Sequence, residues 1–159
     1  MKTFEPKEWQ KVVITGIDQY EDYACTEDMI SISEYEKNKA SAISVSYPRG
    51  FGHTSLAAYI GSKYPALLLV FGFEHYENSL KRRMEDFGLR LHEDSHIMSV
   101  YEVMYALLSV APDGIMPNIE KIKDKFRDRV IVVDEAVKLP NRVKDFIYAI
   151  STKAIILLG

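Results

Sequence analysis

The chain has one cysteine, Cys25, in 159 residues. A lone thiol excludes an internal disulfide framework and a cysteine-based zinc cluster, and it suits a reducing compartment. Long apolar runs are missing too. The longest, "PALLLVFGF" (Pro65 to Phe73), falls far short of the ~20 residues that a membrane-spanning helix needs, and the opening "MKTFEPKEWQ" has no apolar signal-peptide core. The expectation is a cytoplasmic protein with no membrane partner. Charge of one sign is also scarce. Twenty Lys and Arg against 23 Asp and Glu leave a net charge of −3, which gives a stand-alone nucleic-acid binder no broad basic field. No segment reads as a linker, a repeat or a low-complexity tract. At roughly 100–200 residues per domain, the length predicts a single domain, with an N-terminal helix and polar segment over 1–40 and a core over 41–159.

What is present is an alternation of aliphatic runs with amphipathic ones. A helix is predicted from Pro6 to Tyr20, with Pro6 in its first turn and Trp9, Val12, Val13 and Ile17 on one face. A polar surface stretch with room for a short helix follows. Strands are predicted at Ser41–Ser46, Pro65–Phe73, Ser95–Val100, "RVIVV" and "KAIILLG". Between them lie helices at "TSLAAYIGSKY", "ENSLKRRMEDFG" (with Gly88 as its C-terminal cap), "YEVMYALLSV", "IEKIKDKFRD" and "NRVKDFIYAIS". Nearly all-aliphatic strands alternating with helices predict an α/β domain, its sheet mainly parallel with helices on both faces.

Two segments carry candidate chemistry. "PRGFGHTS" (Pro48 to Ser55) joins a strand to a helix. Its glycines let the backbone curl so that N–H groups point inward, and the helix start adds a positive dipole end, which suits a phosphate. Against the pattern G-x-x-x-x-G-K-[ST], Gly52 and Thr54 match, but Tyr47 stands at the first glycine and His53 at the lysine. The second segment is "VIVVDEA". Asp134 and Glu135 end an aliphatic strand about 80 residues after the loop, in the arrangement of an acid that holds Mg²⁺ followed by one that polarises water. Both segments follow the carboxyl end of a strand, so a parallel sheet places them at one edge.

These motifs resemble those of P-loop NTPases of the additional-strand, catalytic-glutamate class, which have a RecA-like fold. Within that class they resemble the large terminases and other viral DNA-packaging ATPases, whose loop often reads "RGxGK[ST]". Arg49-Gly50-Phe51-Gly52-His53-Thr54 follows that form except at His53. "EPKEWQKVV" is similar to the aromatic-Gln segment that such enzymes place near the adenine, which implicates Gln10. The resemblance implies ATP and Mg²⁺ as ligands. Pro48, Arg49, Gly50, Phe51, Gly52, His53, Thr54, Ser55 and Gln10 would surround the nucleotide. Thr54 and Asp134 would hold the metal, with Glu135 and Arg49 as the catalytic pair. It further implies double-stranded DNA engaged through a multimer, and a homo-oligomer or larger viral assembly in a host cytoplasm. In the family a coupling motif follows the strand corresponding to "AIILLG", so a chain ending at Gly159 is read as a truncated fold; "STK" (Ser151 to Lys153) lies on the wrong edge to replace it.

His53 is shorter than lysine and only partly charged at neutral pH. Nucleotide binding is therefore expected to be weakened and hydrolysis slow or absent, with Arg49 as the substitute cation. The competing reading is a degenerate NTPase-fold subunit that packs against an active partner and offers it Arg49 or Arg142. A small-molecule kinase fits less well, because such enzymes keep the lysine. Lys81, Arg82 and Arg83 read as a solvated helix face that can also reach DNA phosphates. Tyr101, Met104 and Tyr105 read as core or interface. His75, His92 and His96, with Glu74, Glu93 and Asp94, are candidate zinc ligands, but "HEDSH" brings His92 and His96 together only if it is helical, and Ser95 to Val100 reads more like a strand.

Overall fold

The computed structural model describes residues 2–20, 33–47, 50, 52–108 and 119–159. Cys25, Pro48, Arg49, Phe51 and residues 109–118 lie outside the described residues. The elements run α1 (Glu8–Asp18), α2 (Glu34–Ser41), β1 (Ile43–Val45), α3 (His53–Lys63) and β2 (Ala66–Val70). A helical stretch follows, made of α4 (Phe73–His75), a π-helical turn (Tyr76–Leu80) and α5 (Lys81–Asp86). Then come β3 (His96–Ser99), α6 (Val100–Leu108), α7 (Ile119–Phe126), β4 (Val130–Val133), a 3-10 turn (Ala136–Lys138), α8 (Asn141–Ile150) and β5 (Ile155–Leu158).

The five strands form one all-parallel sheet in the order β1-β5-β4-β2-β3. This is the α/β architecture that the aliphatic runs predicted. Its register aligns Ile43, Ile156, Val132, Leu68 and Ile97 in one row across the sheet, all facing the same way. On that face they meet Val13 and Ile17 of α1, Leu56 and Ile60 of α3, and Leu80 and Met84 beyond β2. The alternate residues Leu67, Leu69, Ile131, Val133, Ile155 and Leu157 face α6, α7 and α8, where Phe126 and Ile147 are fully buried. Strands covered on both faces bury every residue, which is why β2, β4 and β5 are wholly aliphatic. Gly61 lets α3 come close to the sheet, since a Cβ there would stand 2.7 Å from Leu68 Cδ1.

Several boundaries differ from the sequence reading, each for a local reason. Helix α1 starts at Glu8 with Lys7 as its cap, so Pro6 precedes the helix. Its buried face is Gln10, Val13 and Ile17, which follows helical spacing, while Val12 points away and is 70% exposed. Ser41 belongs to the last turn of α2, not to β1. Strand β2 stops at Val70, and Phe73 begins a helix rather than ending a strand. The Gly88 cap holds: with φ +63, Gly88 N–H donates to Glu85 O (3.1 Å) and Leu89 N–H to Met84 O (2.8 Å), a Schellman closure. Tyr101 and Tyr105 are 57% and 69% exposed, so neither is core.

Polar helix α2 is tied down by one buried residue. Asn38 is fully buried; its Nδ2 donates to Tyr148 O (2.7 Å) and Ser151 O (2.8 Å), and its Oδ1 accepts from Tyr20 Oη (3.2 Å). Asn38→Ala strands two carbonyls and a hydroxyl, and should cost about 2–4 kcal/mol. Urea unfolding of the variant against the parent measures this, and a cost under about 0.5 kcal/mol would show that water replaces the amide.

Candidate functional site

The carboxyl ends of the strands open onto a cleft of about 640 Å³. Gly50 and Gly52 line one side in the left-handed region, at φ +87 and +99. Gly52 is the residue before α3, and the first turn of that helix, whose N–H groups have no intrahelical partner, lines the cleft through His53, Thr54 and Ser55. No side chain fits at Gly52. A Cβ there would stand 2.7 Å from Gln10 Nε2, quite apart from the strained φ.

Gln10 is 2% exposed, and both ends of its amide are engaged. Nε2 donates to Gly52 O (2.9 Å), and Oε1 accepts from Lys7 N–H (2.8 Å). The residue implicated beside an adenine thus serves here as a strut between α1 and the glycine turn, while still lining the cleft.

Across the cleft, Asp134 follows β4 and is only 4% exposed. Its Oδ2 accepts from Thr54 Oγ1 (2.9 Å) and contacts His75 Nε2 at 2.9 Å. Its Oδ1 accepts from Glu135 N–H (3.0 Å). The two segments that sequence topology brought to one edge are therefore joined directly by a side-chain hydrogen bond. Glu135 turns into the left-handed region (φ +59), a conformation costing a non-glycine residue of order 1–3 kcal/mol. That turn separates the adjacent acids, as expected of a pair that cannot face the same way along a strand. Glu135 Oε2 lies 3.8 Å from His75 Nδ1 and 3.3 Å from Lys138 Nζ.

His53 opens α3, but its ring lies against aromatic neighbours, edge-on to Trp9 with centroids 5.5 Å apart and tilted to Tyr47 at 6.4 Å. Its Nε2 is buried with no hydrogen-bond partner. Burial lowers its pKa, and the Asp134 charge opposes this only in part. At neutral pH the imidazole is uncharged.

His75 is the residue that the sequence reading missed as part of this site. It lies on α4 just past β2, and the same strand-end rule that flagged Asp134 would have flagged it. Asn78, Ser79, Arg82 and Arg83 also line the cleft from the helical stretch after β2; Lys81, Arg82 and Arg83 are exposed, as a solvated helix face requires, and that face borders the site. Lys81 pairs with Glu77 (3.3 Å), and Arg142 donates to Leu107 O (3.0 Å). His92 and His96 lie in a turn and at the start of β3, so no helix pairs them. Among the described residues, no group of three or more His, Cys, Asp or Glu is placed to hold a metal, and no helix is long and apolar enough to cross a membrane. Neither the family models nor the curated proteins compared with this chain give a match.

The hydrogen bond to Asp134 raises the His75 pKa, against a smaller opposing effect of burial. A histidine whose folded pKa is raised stabilises fully below its unfolded value of ~6.5, and the contribution fades as pH rises through the raised value. His53, with a lowered pKa, acts in the opposite sense: its contribution is present above ~6.5 and fades as pH falls through the lowered value. The stability lost in His75→Gln should therefore be larger near pH ~6 than near pH ~8.5. Urea midpoints of parent and variant at the two pH values decide it, and equal losses would mean that the pair does not form in solution.

Proposed function

We propose that the cleft binds the polyphosphate of ATP together with Mg²⁺, and that the chain is the ATP-binding domain of a terminase-like DNA-packaging motor or related translocase. The observation that carries the first part is the Thr54 Oγ1 to Asp134 Oδ2 hydrogen bond of 2.9 Å, which joins the hydroxyl at the start of α3 to the acid at the end of β4. A hydroxyl and a carboxylate in contact suit magnesium, which keeps most of its waters and takes only one or two protein oxygens beside the phosphates. A site of that kind needs no cluster of three acids. The ion would bridge phosphate oxygens and neutralise their charge. Thr54 and Asp134 would hold it. Backbone N–H groups at the start of α3 would cradle the phosphates, and Glu135, turned off the strand beside the cleft, would orient a water.

The fold supports this reading, because β5 stands between the loop strand β1 and the acid strand β4, an additional strand of the sort that names the class. Double-stranded DNA, a ring-like homo-oligomer or viral assembly, and a host-cell cytoplasm rest on the sequence resemblance alone and belong to the same proposal. Arg49 stays within it as a phosphate-binding cation. A second reading, a non-hydrolysing subunit of this fold, is favoured by one observation: His53 lines the cleft with a ring packed edge-on against Trp9 and a lowered pKa, so it brings no lysine-like charge there.

Calorimetric titration and thermal melting with Mg-ATP separate the two. Ligand at about 100 times its Kd should add ~2.7 kcal/mol of stability, or roughly 5–10 °C in a domain of this size. Asp134→Ala should abolish the rise, and Glu135→Gln should keep binding while removing turnover. If only His53→Lys binds, the natural chain has given up nucleotide and the subunit reading holds. If neither binds, the ATP reading fails.

A further inference from the structure

The residue at the loop's lysine position is uncharged and packed among aromatics, so a polyphosphate in this cleft needs a cation from elsewhere. Of the described cations that line the cleft, Lys7, Arg82 and Arg83, Lys7 is the one placed beside the glycine turn. Lys7, the residue before α1, places its Nζ 3.8 Å from where a Cβ on Gly52 would stand. It also lines the same cleft as Gly50, Thr54 and Asp134. A surface lysine that merely drifted past a glycine would have a mobile backbone beneath it. The backbone of Lys7 is instead fixed to the loop through Gln10, which accepts the Lys7 N–H at 2.8 Å and donates to Gly52 O at 2.9 Å while only 2% exposed. One buried amide thus holds the start of α1 in register with the start of α3, although the two lie 45 positions apart, from Lys7 to Gly52.

We propose that Lys7 supplies the cation of this phosphate loop, its ammonium binding the polyphosphate in place of a lysine at position 53. An ammonium on a four-carbon stem can follow a phosphate without a fixed fork geometry, so it need not come from within the loop. Gln10 is then a positioning residue, acting through the backbone of Lys7 and the carbonyl of Gly52. The inference rests on the proposed ATP reading and deepens it.

Titration of the full chain with Mg-ATP and, separately, with the magnesium complex of inorganic tripolyphosphate tests it. Lys7→Met removes the charge but keeps most of the stem and the N–H that Gln10 accepts, and each variant's affinity is read alongside its own unliganded melting temperature. Loss of a charged hydrogen bond should weaken both ligands by about tenfold or more. Lys7→Arg should recover most of that loss, and His53→Lys added to Lys7→Met should restore binding by returning a cation to the loop. If the parent binds and Lys7→Met binds within about twofold of it, Lys7 is no phosphate ligand and only this inference falls. It also falls if Arg49→Gln removes binding that Lys7→Met leaves intact. If the parent binds neither ligand, the ATP reading itself fails and takes this one with it. A weakening confined to ATP, with tripolyphosphate unaffected, would place Lys7 near the base or ribose and overturn the assignment as well.

Discussion

A carboxylate that is 4% exposed must be paired, and most of the cleft is arranged around that requirement at Asp134. Three donors from three parts of the chain answer it: Thr54 Oγ1, His75 Nε2 and the Glu135 N–H. Each fixes an element. Thr54 brings the start of α3 over the end of β5 toward β4. His75 pins the helical stretch after β2. The Glu135 N–H donates back to its neighbour's Oδ1, and beyond that bond the chain turns left-handed at Glu135, whose carboxylate lies 3.8 Å from His75 Nδ1. The hydrogen bonds to Asp134 therefore tie the loop helix and the helical stretch after β2 to the end of β4.

The opposite wall depends on Gln10 in a similar way. A buried side-chain amide is costly unless both ends are bonded, and here the two partners are backbone groups on either side of the cleft's rim. The result is a stiff joint between α1 and a turn whose glycine admits no side chain. Stiffness matters because a phosphate cradle works by presenting N–H groups that need not reorganise when the anion arrives.

The fold was legible because its signal is burial. Strands covered on both faces must be continuously aliphatic, and "ALLLV", "VIVV" and "IILL" have no other reading in an alternating chain. Element ends were less so. Phe73 looked like part of a strand because apolar residues continued past Val70, yet it is 76% exposed at the first turn of a helix. Of the site, Gly52, Thr54 and Asp134 could be brought together from topology alone, since each lies at the carboxyl end of a strand. His75 follows β2 and was open to the same topological rule, although its contact with Asp134 depends on side-chain reach. The place of Lys7 comes from a strut spanning 42 positions in sequence, which no period or pattern encodes. The pattern of "KRRMED" was read correctly as a solvated face, with Lys81, Arg82 and Arg83 exposed and Met84 buried, but only the packing of the π-helical turn against α3 shows that this face borders a cleft.

The charges along that wall bear on what the cleft can hold. Lys7, Arg82 and Arg83 stand against Glu5, Asp134 and Glu135, so the lining is close to balanced before any ligand enters. A bare polyphosphate would gain from the cations and the helix start but would face two carboxylates beside Thr54, which repel it. A divalent ion removes that conflict by turning Asp134 from a repulsive neighbour into a partner. In its absence the Thr54 hydroxyl and the His75 ring occupy the carboxylate, and a protonated His75 supplies part of the positive charge that the ion would bring. On the proposed reading, metal and phosphate are thus required together, because phosphate alone leaves a like-charge contact with Asp134.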